Sequence, residues 1–202
     1  LPGLNPITAQ RLEFLGSWQP QNFSRPDAQH VQLSFPLSIH AVTKFELGAA
    51  EAIIFRVTRE GNVYAAGAYH SGGADIAEWV MLSESAEPGD VVELDPVHPG
   101  KYRKSHGPYS TLAVGVISQA PGLILGELQG EAKALLALMG TVLVKATTEN
   151  GPIRPGDLLV SSSTPGHVMR CEASSRCLEA LLGKALEPLT EGRGIIRMLV
   201  IR

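Results

Sequence analysis

Short apolar runs alternate with breaks that carry glycine or proline along nearly the whole chain, and this is the punctuation of strands joined by turns. The runs predict strands at His30–Phe35, Ala52–Thr58, Asn62–Ala66, Asp90–Leu94, Leu112–Ser118, Thr141–Lys145, Asp157–Ser161 and Gly194–Ile201. Glu60-Gly61 and Gly100-Lys101 read as hairpin turns between them. The segment Glu131–Met139 has the composition of a helix, but it runs directly into the β-branched Thr141–Val144 and is read as a strand continuing through Gly140. Only Asn5-Pro6 followed by Ile7–Leu15 carries helix-start signals, an Asn cap with proline at the first helical position. The expected fold class is all-β, with less than about a fifth of the residues helical against a base rate near one third.

An internal near-repeat refines that expectation. Pro88-Gly89-Asp90-Val91-Val92, followed by Pro99-Gly100 and Arg103, returns as Pro155-Gly156-Asp157-Leu158-Leu159, followed by Pro165-Gly166 and Arg170. Each copy then reaches a glycine-containing apolar segment, Ala113–Val116 in the first and Leu182–Ala185 in the second. The shared pattern is a Pro-Gly turn whose Asp bonds the turn backbone, a strand, a second turn and a return strand. Two copies imply a duplicated small β-barrel or pair of β-clips, not a solenoid.

Composition narrows the classes of function. With 202 residues, 44% of them hydrophobic and 18% charged, the chain can bury a core while leaving few charges for its surface, as expected of a homo-oligomer. The net charge of −3 and the scattered Lys and Arg leave no basic stripe to neutralise phosphates, which excludes nucleic acid as the expected partner. The longest apolar runs fall far short of the roughly 20 residues of a membrane span. The Leu-Pro-Gly start has neither an initiator Met nor a leader pattern, as expected where the chain's own start lies upstream. Cys171 and Cys177, six residues apart with no histidine cluster nearby, do not form a zinc pattern; they read as two ordinary thiols, with a disulfide closing a small loop as the alternative.

Most candidate chemistry dissolves on inspection. No glycine-rich phosphate loop opens a helix, and the six histidines (30, 40, 70, 98, 106 and 167) include no i, i+4 pair, so neither a nucleotide nor a metal cofactor is expected. Ser161-Ser162-Ser163-Thr164 before Pro165-Gly166-His167 lacks a nucleophile elbow and reads as turn caps. The segment His70–Trp79 differs, because Asp75 and Glu78 stand three residues apart beside the flexible Gly72-Gly73 and the hydroxyl of Ser71. Such a pair can serve as acid and base on a neighbouring backbone carbonyl attacked by water or by the Ser71 hydroxyl, which makes Ser71 a third candidate catalytic residue; without that role, Asp75 caps a turn and Glu78 faces solvent.

The stretches Phe55–Gly67, Gly73-Ala74-Asp75-Ile76-Ala77-Glu78, Pro88–Val92 and Gly115-Val116-Ile117-Ser118 resemble the C-terminal intramolecular-chaperone auto-processing domain of phage tailspikes, appendages and related bacterial surface or fibre proteins. Glu149–Leu159 and Gly183–Leu189 resemble the bacterial branch, and the resemblance covers about residues 54 to 202. It implies a β-rich module that forms a homotrimer at the end of an upstream fibre or β-helix shaft, on a virion tail or a bacterial cell surface, guides folding of that shaft and in some members cuts itself free. It further implies that Asp75 and Glu78 form the acidic catalytic pair, with Ser71 and Gly72 as the cleavage site. Ile76 stands where an aromatic residue is usual, and Gly72 where an acidic residue can follow the cut.

The expected organisation is residues 1–53 as the end of the shaft or a small extra module, 54–79 as a connecting hairpin with the auto-processing segment, and 80–202 as a duplicated head. A self-processing trimer competes with a non-catalytic assembly cap and with a carbohydrate-binding tip using Trp79, Tyr102 and Tyr109 as stacking platforms. In a straight strand Asp75 and Glu78 would face opposite ways, so the processing hypothesis expects a bend at residues 74–77.

Overall fold

The structure, a computed structural model, describes residues 44–201 apart from 50, 51, 59, 128, 129, 131 and 173. The strand expected at His30–Phe35 and the helix expected at Ile7–Leu15 lie outside these residues. Strands make up 46% of the described residues, and the one helix among them is α1, Ser174–Ala180. The all-β class holds. Two compact units divide at His70/Ser71.

In the first unit β1 (Lys44–Ala49), β2 (Ala52–Thr58) and β3 (Val63–Ala65) form an antiparallel meander in that order. The Glu60-Gly61 signal lies in the β2–β3 turn, where Gly61 takes φ of 84° and its amide donates to the Thr58 carbonyl at 3.0 Å.

The second unit is built twice from one plan. In the first copy β5 (Val91–Leu94) is flanked by β6 (Tyr102–Lys104) and β7 (Ala113–Val116); in the second, β10 (Leu158–Ser161) is flanked by β11 (Val168–Arg170) and β12 (Gly183–Ala185). The Glu87 amide donates to Asp90 Oδ2 and the Arg154 amide to Asp157 Oδ2, each at 2.8 Å. The Ile117 amide reaches the Asp90 carbonyl as the Ala185 amide reaches that of Asp157, both at 2.9 Å. Gly115 pairs with Val92 where Gly183 pairs with Leu159. His98–Lys101 and Thr164–His167 close both hairpins with Pro second and Gly third, Gly100 at φ of 79° and Gly166 at 71°, the residues a type II turn demands.

One detail of the sequence alignment is corrected. Val92 faces Lys104 and Leu159 faces Arg170, so the partner of Arg170 across the repeat is Lys104 and not Arg103. The first copy has one more residue between its Asp and the turn proline, which displaces a match made by counting from Pro88 and Pro155.

Each copy is completed by strands from a common source. β9, Lys133–Thr147, runs through Gly140; its earlier half pairs with β4 (Asp75–Met81) and its later half with β13 (Arg193–Val200), both antiparallel. In the second copy a parallel contact of Val168 with Ala146 closes β9, β11, β10, β12 and β13 into a five-stranded barrel. The first copy makes the corresponding contacts as single bridges, Leu82 with Tyr102 in parallel and Ile117 with Leu136 antiparallel. One core gathers Val80, Leu82, Val92, Ile117, Ala134 and Leu136; another gathers Val142, Val144, Ala146, Leu159, Val168 and Met198, with Val91 and Val116 packed into it. The short β8 (Leu123–Leu125) lies parallel to β4 at the sheet edge.

The reading of Cys171 and Cys177 as ordinary thiols is overturned: they form a disulfide across a Cα–Cα distance of 6.0 Å. The helical turn of α1 brings the second sulfur back to the first. This geometry is invisible in a spacing of six.

Gly140 is the sharpest constraint in this architecture. It takes φ of 105°, and a Cβ there would lie 2.3 Å from the Ala74 carbonyl oxygen and 2.7 Å from the Asp75 Cα. Gly140→Ala is expected to lose about 1–3 kcal/mol from backbone strain alone, with the clash adding to it. Chemical denaturation that left the midpoint unchanged would refute this account of the strand.

Candidate functional site

The candidate segment enters the second unit at its boundary. Ser71 is its first residue, and the chain reaches β4 four residues later. The Ser71 hydroxyl donates to the Gly73 carbonyl at 3.0 Å. Gly73 is pressed against residues 120–122: a Cβ on it would lie 2.3 Å from the Gly122 nitrogen and 2.4 Å from the Ala120 oxygen. Reciprocally, a Cβ on Gly122 would lie 2.2 Å from Ser71 Oγ and 2.5 Å from the Gly73 oxygen. Two backbones cross here at a distance that only glycine permits on both sides.

Asp75 stands beside this crossing. Its carbonyl accepts the Gly122 amide at 2.7 Å, and the Ala74 carbonyl accepts the Thr141 amide at 3.1 Å. Asp75 is 7% exposed and has the Ser118 hydroxyl, on a residue 6% exposed, as its polar side-chain neighbour, while Oδ2 is buried without a partner. Burial pushes the Asp75 carboxyl above the usual carboxylate range; the Ser118 hydroxyl and the residue's own amide pull the other way without cancelling it. A buried carboxyl biased toward its protonated form, with a free oxygen, is equipped to donate a proton.

Glu78 is not its neighbour in space. The segment 75–81 is one strand, so the bend expected at residues 74–77 is absent. The irregularity between Ile76 and Ala77 is taken up by β9, where Met139 and Ala137 are the consecutive partners and Leu138 is the extra residue. By the alternation of a strand, Glu78 shares its face with the core residues Val80 and Leu82, and Asp75 lies on the opposite face with Ala77. The structure therefore brings together Ser71, Gly73, Asp75, Ser118 and Gly122, and leaves Glu78 apart. Gly122 carried no signal of its own in the sequence, and Ser118 stood out only as the end of a strand and of the stretch Gly115–Ser118.

The other candidates are occupied structurally. Ser162 donates to the Thr164 and His167 carbonyls at 3.0 and 3.1 Å, and Ser161 to the Gly107 carbonyl at 2.8 Å, so these hydroxyls cap turns. Among the stacking platforms, Trp79 is covered by Lys133 at 4.6 Å and Tyr109 by Arg176 at 4.2 Å, while Tyr102 packs against the first core. His98 joins Asp95, whose carboxyl is held far below the usual range by the Ser83 hydroxyl first and then by His98.

A duplicated β-barrel unit with a buried carboxyl at its entry strand is the class of structure that this chain defines. It shares its fold with the pre-mature bacteriophage phi29 gene product 12, with a TM-score of 0.56 and 17% identity over 74% of this chain and 24% of that one. A C-terminal fragment of the same phage protein also aligns, at 18% identity with a TM-score of 0.46, over 63% of this chain and all of the fragment. The present chain thus spans about a quarter of the length of the longer phage protein. No family model and no curated protein matches it. No helix among the described residues is long and apolar enough to cross a membrane.

The raised Asp75 pKa gives a pH signature. A carboxyl whose folded pKa lies above its unfolded value contributes stability that is fully present below the unfolded value, near pH 4, and lost as pH rises through the folded value. Asp75→Asn removes the ionisation and keeps the shape. It is expected to be more stable than the parent at pH 7, with the difference closing below about pH 4; urea midpoints that differ equally at both pH values would contradict this.

Proposed function

We propose that this chain is the assembly end of a phage-tail or bacterial-surface fibre, a trimeric folding module able to cut its own backbone at Ser71-Gly72. The observation that carries the reading is the buried, partly unpaired carboxyl of Asp75, four residues beyond that bond and at the entrance to the second unit. Support comes also from the fold, which is shared with a phage protein described in a pre-mature form. The cut is a hydrolysis. Water adds its hydroxide to the Ser71 carbonyl carbon, the C–N bond breaks, and the protonated Asp75 supplies the proton that the Gly72 nitrogen takes as it leaves. Asp75 is recharged by the proton released from the water. Glu78, on the other face of the strand, serves as the comparison residue.

Trimerisation is supported by an uncovered apolar face. Leu143 on β9 and Ile195 and Leu199 on β13 alternate outward, and Ile195 is 61% exposed. Closed cyclic assembly would cover such a face together with the open edge at β8.

On a denaturing gel of the full-length protein, the expected result is two fragments, the larger-numbered one beginning at Gly72 by mass spectrometry. Asp75→Ala should abolish them while the assembly persists, and Glu78→Gln should retain them. A single intact band throughout would leave the module as a non-catalytic cap.

Sedimentation should give three chains per particle. Ile195→Asp is expected to shift the distribution toward monomer, and a monomeric parent protein at micromolar concentration would defeat the assembly reading.

A further inference from the structure

We infer that residues 118–122 form the clamp that positions the proposed cut, with Ser118 fixing the Asp75 side chain and Gly122 admitting the backbone of residues 71–73 beside it. This inference rests on the proposed auto-processing at Ser71-Gly72 and assigns two further positioning residues to it.

The segment is well placed for both tasks because its ends are held by different parts of the fold. The Ser118 amide donates to the Leu135 carbonyl at 2.7 Å, which ties the start of the segment to β9. The Gly122 amide donates to the Asp75 carbonyl at 2.7 Å, and Leu123 pairs with Ile76, which ties its end to β4. At the start of the segment the Ser118 hydroxyl is the side-chain group that tunes the Asp75 carboxyl. The carboxyl and the chain to be cut are thereby registered against one five-residue segment tied at both ends. A carboxyl free to rotate would spend little of its time aimed at one peptide bond, and positioning of this kind supplies much of a catalytic site's rate.

Gly122 sets the distance. Because a Cβ there would fall 2.2 Å from Ser71 Oγ and 2.5 Å from the Gly73 carbonyl oxygen, any side chain at 122 must push residues 71–73 away from the segment. The Gly73 oxygen is backbone, so the displacement moves the chain and not merely a side-chain tip. Among the described residues Asp75 has no other side chain that tunes it. Its strand partner on β9 is Gly140, next to Met139; β8 contributes Leu123; and residues 118–122 are Ser, Gln, Ala, Pro and Gly. His70 is exposed, and Glu78 lies on the opposite face of β4.

The test uses the full-length chain and two readouts. Carbon-detected NMR titration of Asp75, in parent, Ser118→Ala and Ser118→Thr, reads the first contact whether or not the chain is cut. Ser118→Ala should move the Asp75 midpoint upward, and Ser118→Thr, which keeps the hydroxyl, should restore it. The pH profile of fragment formation should shift in the same direction. For the second contact, Gly122→Ala should reduce the cutting rate at least tenfold while the amide spectrum of the barrels is retained. An Asp75 midpoint unchanged in Ser118→Ala, or undiminished cutting in a folded Gly122→Ala, would overturn the clamp and leave auto-processing standing. A chain that never cuts, but whose Asp75 midpoint still rises in Ser118→Ala, would instead remove the processing reading, and with it the clamp's role in cutting.

Discussion

One strand belongs to two closed structures. β9 supplies the last strand of the first copy through residues 133–138 and the first strand of the second through 140–147. The two cores are therefore joined by covalent backbone, and neither can be removed without leaving the other with an open edge. Gly140 makes this possible, because the strand passes through it at a positive φ while Ala74 and Asp75 press against it. The entry strand carrying the candidate carboxyl is consequently packed against the exchange point between the copies.

Polar contacts align the copies more tightly than the shared strand alone would. Lys145 in β9 reaches back to the buried Asp90 at 2.7 Å and to Glu87 at 3.0 Å. Burial depresses the ammonium pKa, yet Asp90 and Glu87 outweigh it and hold Lys145 charged above its ordinary range. The Gly166 amide and carbonyl engage Ser105 and Val91, while Ser161 anchors the loop at Gly107 and Ser110. Asp90 thus caps its own turn and meets the second copy; its counterpart Asp157 caps Arg154 and is only half-buried. The duplication has diverged where one copy contacts the other.

Much of the fold was legible because it rests on local signals. The Pro-Gly-Asp and Pro-Gly turns specify their own backbone geometry, so the duplication was readable from the chain, as was the strand running through Gly140. The edge and return strands β6, β8, β11 and β12 are three residues each, too short to show a period. β4 was hidden by its acidic residues, since Asp75 and Glu78 suggested a turn where pairing with β9 imposes extension. For the site, Asp75, Ser71 and the glycines were visible as residue types. The partners Ser118 and Gly122 lie more than forty positions away and become neighbours only through β8 pairing with β4. The disulfide likewise depends on a helical turn that composition did not announce.

The shared strand also determines how this unit would bear mechanical load. A pull arriving through Ser71 travels along β4, whose pairs with β9 run from Asp75–Gly140 to Met81–Lys133 and lie side by side across the direction of tension. Because β4 enters and β9 leaves that ladder at the same end, Asp75–Gly140, its hydrogen bonds would take the load one after another, beginning beside Gly140. From there the tension passes along the β9 main chain into the second barrel without crossing a noncovalent joint. Two barrels threaded on one strand would stay joined by main chain even after that ladder had opened.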